Sequence, residues 1–331
     1  MNKALTLTLS AILLANPIFA QDSNPIKWGL SVGTGQTTFE QAVITTEDDG
    51  SQNFSMDEVD FSPTMISIDA RSGKHQVSFS TNAADDEQLS LSGSSYDSSS
   101  PTKTSDYDDQ SLTYTYSLSN KWKFSLGYNS LSMSKNRLEV SPRSDVFVTG
   151  DPSDDWAVTE TIDQTRDSSG ATALVSYVQP FGESGKWIGV GRLGFTAQDY
   201  DASGPGSTVV SGLSASTESC YAGTTCNVSN PNTLMNGDGY DYAYSSSGDS
   251  TSVVVGFSLI YVFANPRHTL NLDFSVRDNE YGDIGATLVE TPRGGWFTEF
   301  AQDQTIDLPN NNLEIDETLT SVSLKWRYGL N

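Results

Sequence analysis

One stretch of regular alternation limits what this chain can fold into. Between residues 253 and 262 apolar and small side chains alternate, and residues 269–277 repeat the pattern after a tight Ala-Asn-Pro-Arg-His turn. A period of two places successive side chains on opposite faces of a β-strand. One face of this hairpin is apolar, with an aromatic residue near the turn, and the other is small or charged. A soluble sandwich buries such an apolar face, whereas a membrane barrel turns it toward lipid.

The same alternation recurs along the chain and predicts ten strands. They comprise residues 26–33, 66–71, 76–80, 112–118, 122–128, 173–177, 187–195, 253–262, 270–277 and 318–330. Four of the connections are short, and they alternate strictly with five long ones. A sandwich has no reason to place every long loop at one end, but an outer-membrane barrel does. We therefore predict an all-β fold: a ten-stranded antiparallel up-and-down transmembrane β-barrel with short periplasmic turns, five long extracellular loops and periplasmic termini.

The long segments between strands are rich in polar residues. We expect solvated loops at the acidic residues 40–60 and at the Ser- and Asp-rich residues 82–110. Residues 132–168 contain two short β-like runs, which predict a hairpin that extends beyond the main sheet. Whether the part from 137 to 162 adds strands to the barrel stays open.

The amino terminus has the features of a secretory signal peptide. Lys3 precedes a leucine-rich run at residues 4–15, and Ala20 is a small residue at the expected cleavage point. We expect a signal peptide at 1–20 and one barrel domain at 21–331. No later apolar run approaches the roughly 20 residues that a membrane helix requires.

Aromatic residues gather beside the short turns, where an interfacial girdle is expected. The predicted girdle consists of Trp28, Trp122, Tyr177, Trp187, Tyr261, Trp326 and Tyr328. With the strand count and the loop pattern, these residues make chain segment 26–331 similar to Gram-negative outer-membrane β-barrel proteins, through its architecture and without a family motif. The resemblance implies a place in the cell outer membrane, contact with outer-membrane lipid and lipopolysaccharide, and insertion by the barrel assembly machinery.

Catalytic chemistry has little support in the sequence, so we predict a protein that is not an enzyme. Omptin proteases are similar in having ten strands, but their histidine–aspartate site lies at the extracellular rim. Here the two histidines, His75 and His268, both lie beside short turns. A GxSxG match at residues 29–33 continues as a strand, whereas a nucleophile elbow needs a sharp turn into a helix.

Charged residues on the polar strand faces are expected to project into the lumen. This predicted lumen cluster is Asp69, Arg71, Lys123, Arg192, Asp273, Arg277, Lys325 and Arg327. A ten-stranded barrel is narrow. The cluster therefore forms either an internal ion-pair network that plugs the barrel or a narrow polar pore with a basic constriction.

The long loops carry most of the 42 acidic residues, and the net charge is −24. Such acidity argues against nucleic acid as a partner. It is consistent with a solvated surface, or with weakly bound divalent cations; no other cofactor is expected. Cys220 and Cys226 are close enough in sequence to predict a local disulfide in an exported protein. Two functions follow: a surface binding or structural barrel with an unknown extracellular ligand, or a narrow channel for a small solute.

Overall fold

The computed structural model describes residues 25–46, 52–93, 102–143, 156–182, 185–211, 219–220, 233–234, 237–293, 304–308 and 313–330. Its strands are β1 (Lys27–Thr46), β2 (Gln52–Phe61), β3 (Thr64–Ser72), β4 (His75–Gly93), β5 (Thr102–Ser117), β6 (Trp122–Arg143), β7 (Trp156–Phe181), β8 (Trp187–Ser211), β9 (Ser219–Cys220), β10 (Thr233–Leu234), β11 (Gly239–Val262), β12 (His268–Arg293), β13 (Gln304–Leu308) and β14 (Leu313–Gly329).

None of the described residues forms a helix that is long and apolar enough to cross a membrane.

The strands close into the predicted ten-stranded antiparallel barrel, which confirms the fold class. Neighbouring strands around it are β1, β2 with β3, β4, β5, β6, β7, β8, β11, β12 and β14. The last strand returns to the first, from Gly29 opposite Gly329 to Thr45 opposite Leu313. Strands β2 and β3 share one position in the wall and are separated at Pro63, which has no backbone N–H for the ladder. Pairing of β1 with β14 removes the two free edges that an open sheet of these strands would have.

The strands are much longer than the sequence predicted. Strands β7 and β12 each have 26 residues, although crossing a bilayer takes about 9–11. Segments expected to be loops, at 40–60 and 82–110, largely continue β1, β2, β4 and β5. The segment from 137 to 162 adds no separate strand among its described residues, because β6 and β7 pair without interruption from Trp122 to Arg143.

The two ends of the barrel differ. The four short connections, at 73–74, 118–121, 182–186 and 263–267, all lie at one end, which we call the turn end. Gly73 has a φ of 55°, a conformation that suits a glycine in a two-residue turn. At the opposite, loop end, the connections fall mostly outside the described residues.

The outer surface changes character between the two ends. In the lower half, next to the turn end, most exposed outward side chains are apolar. They include Leu30, Val32, Ile66, Phe124, Leu126, Val175, Leu193, Phe195, Val255, Phe257, Leu272, Phe274, Val322 and Leu324. In the upper half, toward the loop end, exposed carboxylates face one another across neighbouring strands. These opposed pairs are Asp199 with Asp249, Asp167 with Asp201, Glu40 with Glu58, and Glu280 with Asp316. Paired like charges repel unless water screens them, so this part of the outer wall is built for water.

Candidate functional site

The lower lumen contains an ion pair between strands β3 and β14. Arg327 donates from Nε and Nη2 to the two carboxylate oxygens of Asp69, at 2.8 and 2.7 Å. Gly29 on the strand between them leaves the room, because a Cβ at that position would collide with the guanidinium and the carboxylate. The glycines of the GxSxG match are therefore small lumen-facing positions on a continuous strand.

A second group of lumen charges surrounds Asp273. Its carboxylate lies 3.4 Å from Arg192 Nη2 and 3.6 Å from Lys325 Nζ. Ser258, which is fully buried, accepts a hydrogen bond of 2.6 Å from Arg192 and donates one to Asp273. Four strands of the wall, β8, β11, β12 and β14, are thus tied together by polar contacts inside the barrel.

The remaining bases of the predicted cluster are less well paired. Arg71 and Lys123 have no acidic partner within ion-pair distance among the described residues. Arg277 lies higher, and with the Asn129 amide oxygen turned toward it, its Nη1 donates at 2.7 Å. The structure therefore brings Asp69 to Arg327 and Asp273 to Arg192 and Lys325, and leaves the other three bases outside these pairs.

Several buried polar atoms in the lower lumen have no hydrogen-bond partner in the protein, which indicates that this part of the lumen is suited to water. Buried hydroxyl and carbonyl oxygens of this kind belong to Asn82, Gln198, Ser250, Ser252 and Asn271. A cavity of about 210 Å³ lies in the lumen between Asp109, Thr172, Ser275 and Arg277. Buried polar groups are nearly always hydrogen-bonded, and water is the partner available in such a space.

Above this cavity the lumen is filled by a packed layer of inward side chains. Its apolar members are Phe39, Val59, Phe61, Ala84, Tyr107, Leu131, Met133 and Leu319, each at most 8% exposed. The rings of Phe61 and Tyr107 are 5.0 Å apart between centroids. Strands from one side of the barrel therefore meet in a dry core, of the kind that excludes water and solutes.

The other side of the packed layer is closed by a buried ion pair. Arg166 Nη2 on β7 donates to Glu317 Oε2 on β14, and to the hydroxyl of Tyr281 on β12. Glu317 also accepts from Asn279 Nδ2 and Tyr281 OH, both at 2.6 Å. Arg166 is 8% exposed and Glu317 is 1% exposed. Because a charge in such a place is costly unless paired, each side chain holds the other in position across the barrel.

Aromatic rings enclose the Arg166 guanidinium. Its central carbon lies 5.1, 5.0 and 5.6 Å from the ring centroids of Phe39, Tyr200 and Tyr281. These distances are typical of cation–π contacts, which strengthen when the cation is removed from water. Rings and ion pair together complete the packed layer.

Sequence reasoning missed Arg166 and Glu317, because both lie in segments without an apolar period of two. A weaker signal was present in whether the apolar residues occupy even or odd positions. On β6 they occupy even positions through Tyr128 and odd positions at Leu131 and Met133. Strand β14 shows the same change between Leu319 and Val322.

A second cavity, of about 420 Å³, lies between the packed layer and the loop end and is here called the vestibule. Its walls are parts of β7, β8, β11 and β12, and its lining includes Tyr240, Tyr242, Tyr244, Glu160 and Glu290. Tyr244 lies four positions along β11 from Gly248, which is opposite Tyr200 of the packed layer. None of these vestibule residues was assigned to a binding site from the sequence.

The predicted girdle residues all lie at the turn end. Several are in ring contact: Trp122 with Tyr177 at 4.9 Å, Trp187 with Tyr261 at 4.8 Å, and Trp326 with Tyr328 at 6.1 Å. Trp28 packs beside Ala70 and Val77. Both histidines join this belt on the outer face, since His75 contacts Tyr114 OH at 2.7 Å and His268 stacks on Trp326.

Two predictions fall wholly or partly outside the described residues. Cys220 lies on β9, but Cys226 is not among the described residues, so the disulfide stays a prediction. The signal peptide at 1–20 is likewise outside them. In the described part of the chain, no three His, Cys, Asp or Glu side chains are grouped as metal ligands.

No protein-family model matches the sequence, and no curated protein matches it. Among solved structures, the outer membrane protease OmpT from Escherichia coli is similar, with 8% identity, a TM-score of 0.54, and coverage of 92% of this chain and 97% of that one. The Pseudomonas putida toluene transporter TodX has 9% identity, a TM-score of 0.39, and coverage of 94% and 93%. The outer membrane protein OprG from Pseudomonas aeruginosa has 11% identity, a TM-score of 0.30, and coverage of 93% and 99%. At such identities the likeness concerns the fold alone, and that fold is the closed β-barrel of outer-membrane proteins.

Proposed function

We propose that the protein is an outer-membrane barrel that binds a ligand at its loop end and does not act as an open channel. Its turn end lies in the periplasm and its loop end faces the outside of the cell. The apolar outer face of the lower half, with the aromatic belt beside the short turns, supports this orientation. Outer-membrane lipid, lipopolysaccharide and the barrel assembly machinery are the partners that such a placement requires.

The observation that carries this proposal is the packed layer. A solute entering from the loop end would meet the Arg166–Glu317 pair on one side and the apolar cluster around Phe39 and Leu131 on the other. Passage would require separating a buried ion pair, which leaves each charge buried without its partner and costs about 3–5 kcal/mol. A cavity large enough for a small ligand, the vestibule, lies above that layer.

The alternative function is a narrow channel, and one observation favours it. The lower lumen is polar and basic, since the predicted cluster contains six bases and two acids. If the packed layer opened, lumen charges beside the ion path would favour anions over cations. Loop carboxylates would have less influence, because they are screened beyond about 8 Å at physiological salt.

Conductance of the refolded full-length chain in a planar bilayer tests whether the protein is a closed binding barrel or a channel. We expect wild type to be silent, and the triple variant Phe39→Ala/Arg166→Ser/Glu317→Ser to conduct with anion preference. The matched control is Asp69→Asn/Arg327→Gln, which removes an ion pair from the lower lumen and should stay silent. Folding of each variant is checked by heat-dependent migration on gels. Steady conductance of wild type would refute a closed binding barrel and support the channel.

A further inference from the structure

We infer that the vestibule is a binding site for an organic cation, an ammonium or guanidinium group carried on a small apolar body. This inference rests on the proposed binding function and names the ligand class. The cavity of about 420 Å³ is large enough for such a molecule and is bounded toward the turn end by the packed layer.

Three tyrosines supply the aromatic wall. Tyr240, Tyr242 and Tyr244 occupy alternate positions on β11, and all three line the vestibule. Successive alternate residues of a strand point to one face, so the three rings form a continuous strip. Aromatic faces of this kind attract cations through the ring quadrupole.

The central tyrosine is fixed in place by its neighbours. The ring of Tyr242 lies where a Cβ at position 206 would be, so Gly206 on β8 is what allows the ring to pack there. Its hydroxyl donates to Glu160 Oε1 at 3.1 Å. On the outer side, Arg293 Nε donates to Asp241 at 2.6 Å and joins β11 to β12 at the same height. A ring held in this way loses little freedom when a ligand binds.

Carboxylates give the vestibule its sign of charge. Glu160 and Glu290 flank the tyrosine strip, and none of the described residues that line the cavity is basic. The pKa of Tyr240 is raised by burial and by the negative charge of Glu290, which is consistent with a negative potential in the cavity. Arg166 lies toward the packed layer, but its charge is compensated by Glu317.

Rings and carboxylates together select against other ligand classes. An anion would be repelled by both glutamates, and a neutral sugar would gain stacking and hydrogen bonds but no charge attraction. A cation with an apolar body gains the attraction of both the rings and the carboxylates.

Titration calorimetry of the refolded full chain in detergent micelles tests the inference. The probes are benzyltrimethylammonium, benzenesulfonate as the anionic counterpart, and methyl glucoside as the neutral one. We expect heat from the ammonium alone, with binding weakened about five- to thirtyfold in Tyr242→Leu and in Glu290→Gln. Glu280→Gln removes a charge from the outer face of the same strand, β12, and should bind as wild type does.

Absence of ammonium binding, equal binding of sulfonate or glucoside, or unchanged affinity in both vestibule variants would overturn the cation site. Far-ultraviolet circular dichroism and heat-dependent gel migration confirm that each variant is folded. Failure here is distinguishable from failure of the proposed function. A silent wild-type bilayer without ammonium binding refutes the ligand class only, whereas a conducting wild type refutes the closed barrel.

Discussion

On strand β6 the lower half presents Phe124 and Leu126 to the outside, whereas the upper half turns Leu131 and Met133 to the inside. The same exchange occurs on β14, where Leu324 and Val322 are exposed and Leu319 is buried. The backbone continues through both halves without a break in pairing. What changes is whether the apolar residues occupy even or odd positions along the strand. A shift by one position moves a side chain to the other face of the strand.

This difference between the halves shows how one barrel wall can be suited to two environments, lipid around its lower half and water around its upper half. The lower half has an apolar outside and a polar inside with charges and unpaired hydroxyls, as a barrel in lipid requires. The upper half has opposed carboxylates outside and a packed core inside, as a soluble barrel requires. The packed layer therefore has a structural reason to exist: the long strands beyond the membrane need a core of their own.

The largest difference between the halves is expected for their buried charges. Glu317→Ala leaves Arg166 without its partner in a dry layer, and should lower the free energy of unfolding by about 3–5 kcal/mol. Replacing both residues, as Arg166→Met/Glu317→Leu, should recover most of that loss. Urea unfolding of the protein in detergent, followed by tryptophan fluorescence, measures both. A small effect of the single variant would mean that the layer is wet.

Apolar side chains inside the upper half should matter nearly as much. Leu131→Ala removes a side chain that is 2% exposed and should cost about 2–5 kcal/mol through lost burial and a cavity. Ser125→Ala, inward on the same strand in the lower half, removes one hydrogen bond to Thr115 and should cost about 0.5–1.5 kcal/mol. The same unfolding measurement compares them, and equal losses would contradict a core confined to the upper half.

On the outer face, a charged substitution should cost more stability in the lower half than in the upper half. Leu272→Arg places a cation in the apolar band, at a cost of about 2–4 kcal/mol near the bilayer midplane. Glu280→Arg, eight positions along the same outward face, should change stability by about 0.5 kcal/mol or less, since it lies in water beside Asp316. Unfolding in lipid vesicles tests this pair. Comparable damage at both positions would place Glu280 in the membrane.

Of the two ion pairs, the lower one should contribute less to stability. Asp69→Asn should cost about 1 kcal/mol or less, because the Arg327 side chain is 30% exposed in a polar lumen and can be solvated when its partner is lost. Added salt should reduce the difference from wild type further. A loss as large as that of Glu317→Ala would show that the lower lumen is dry.

The sequence revealed the lower half because lipid demands an unbroken apolar face on each strand. Trp28, Leu30 and Val32, or Leu270, Leu272 and Phe274, therefore stand out at a period of two. The strands of the upper half were not recognised from the sequence. Water outside allows Ser, Thr and Asp at the outward positions, and the core needs only one or two large inward residues per strand. The change of register between Tyr128 and Leu131 was visible in principle.

The Arg166–Glu317 pair was not visible, since 151 residues separate its members and no local pattern links them. Such a pair becomes apparent only when the pairing of the strands around the closed barrel is known. The vestibule tyrosines were missed for a related reason: they stand directly before a serine-rich run, residues 245–247, that looks like a loop.

The change of register itself can be measured by a nitroxide scan of residues 124–134 on β6, in lipid vesicles and in a Cys220→Ser/Cys226→Ser background. Accessibility to oxygen reports lipid, and accessibility to a water-soluble nickel chelate reports water. We expect high oxygen accessibility at 124, 126 and 128, high nickel accessibility at 132 and 134, and low values for both reagents at 131 and 133. Nickel accessibility at 131 and 133, or lipid-like values that continue at 132 and 134, would contradict the inversion and with it the closed lumen.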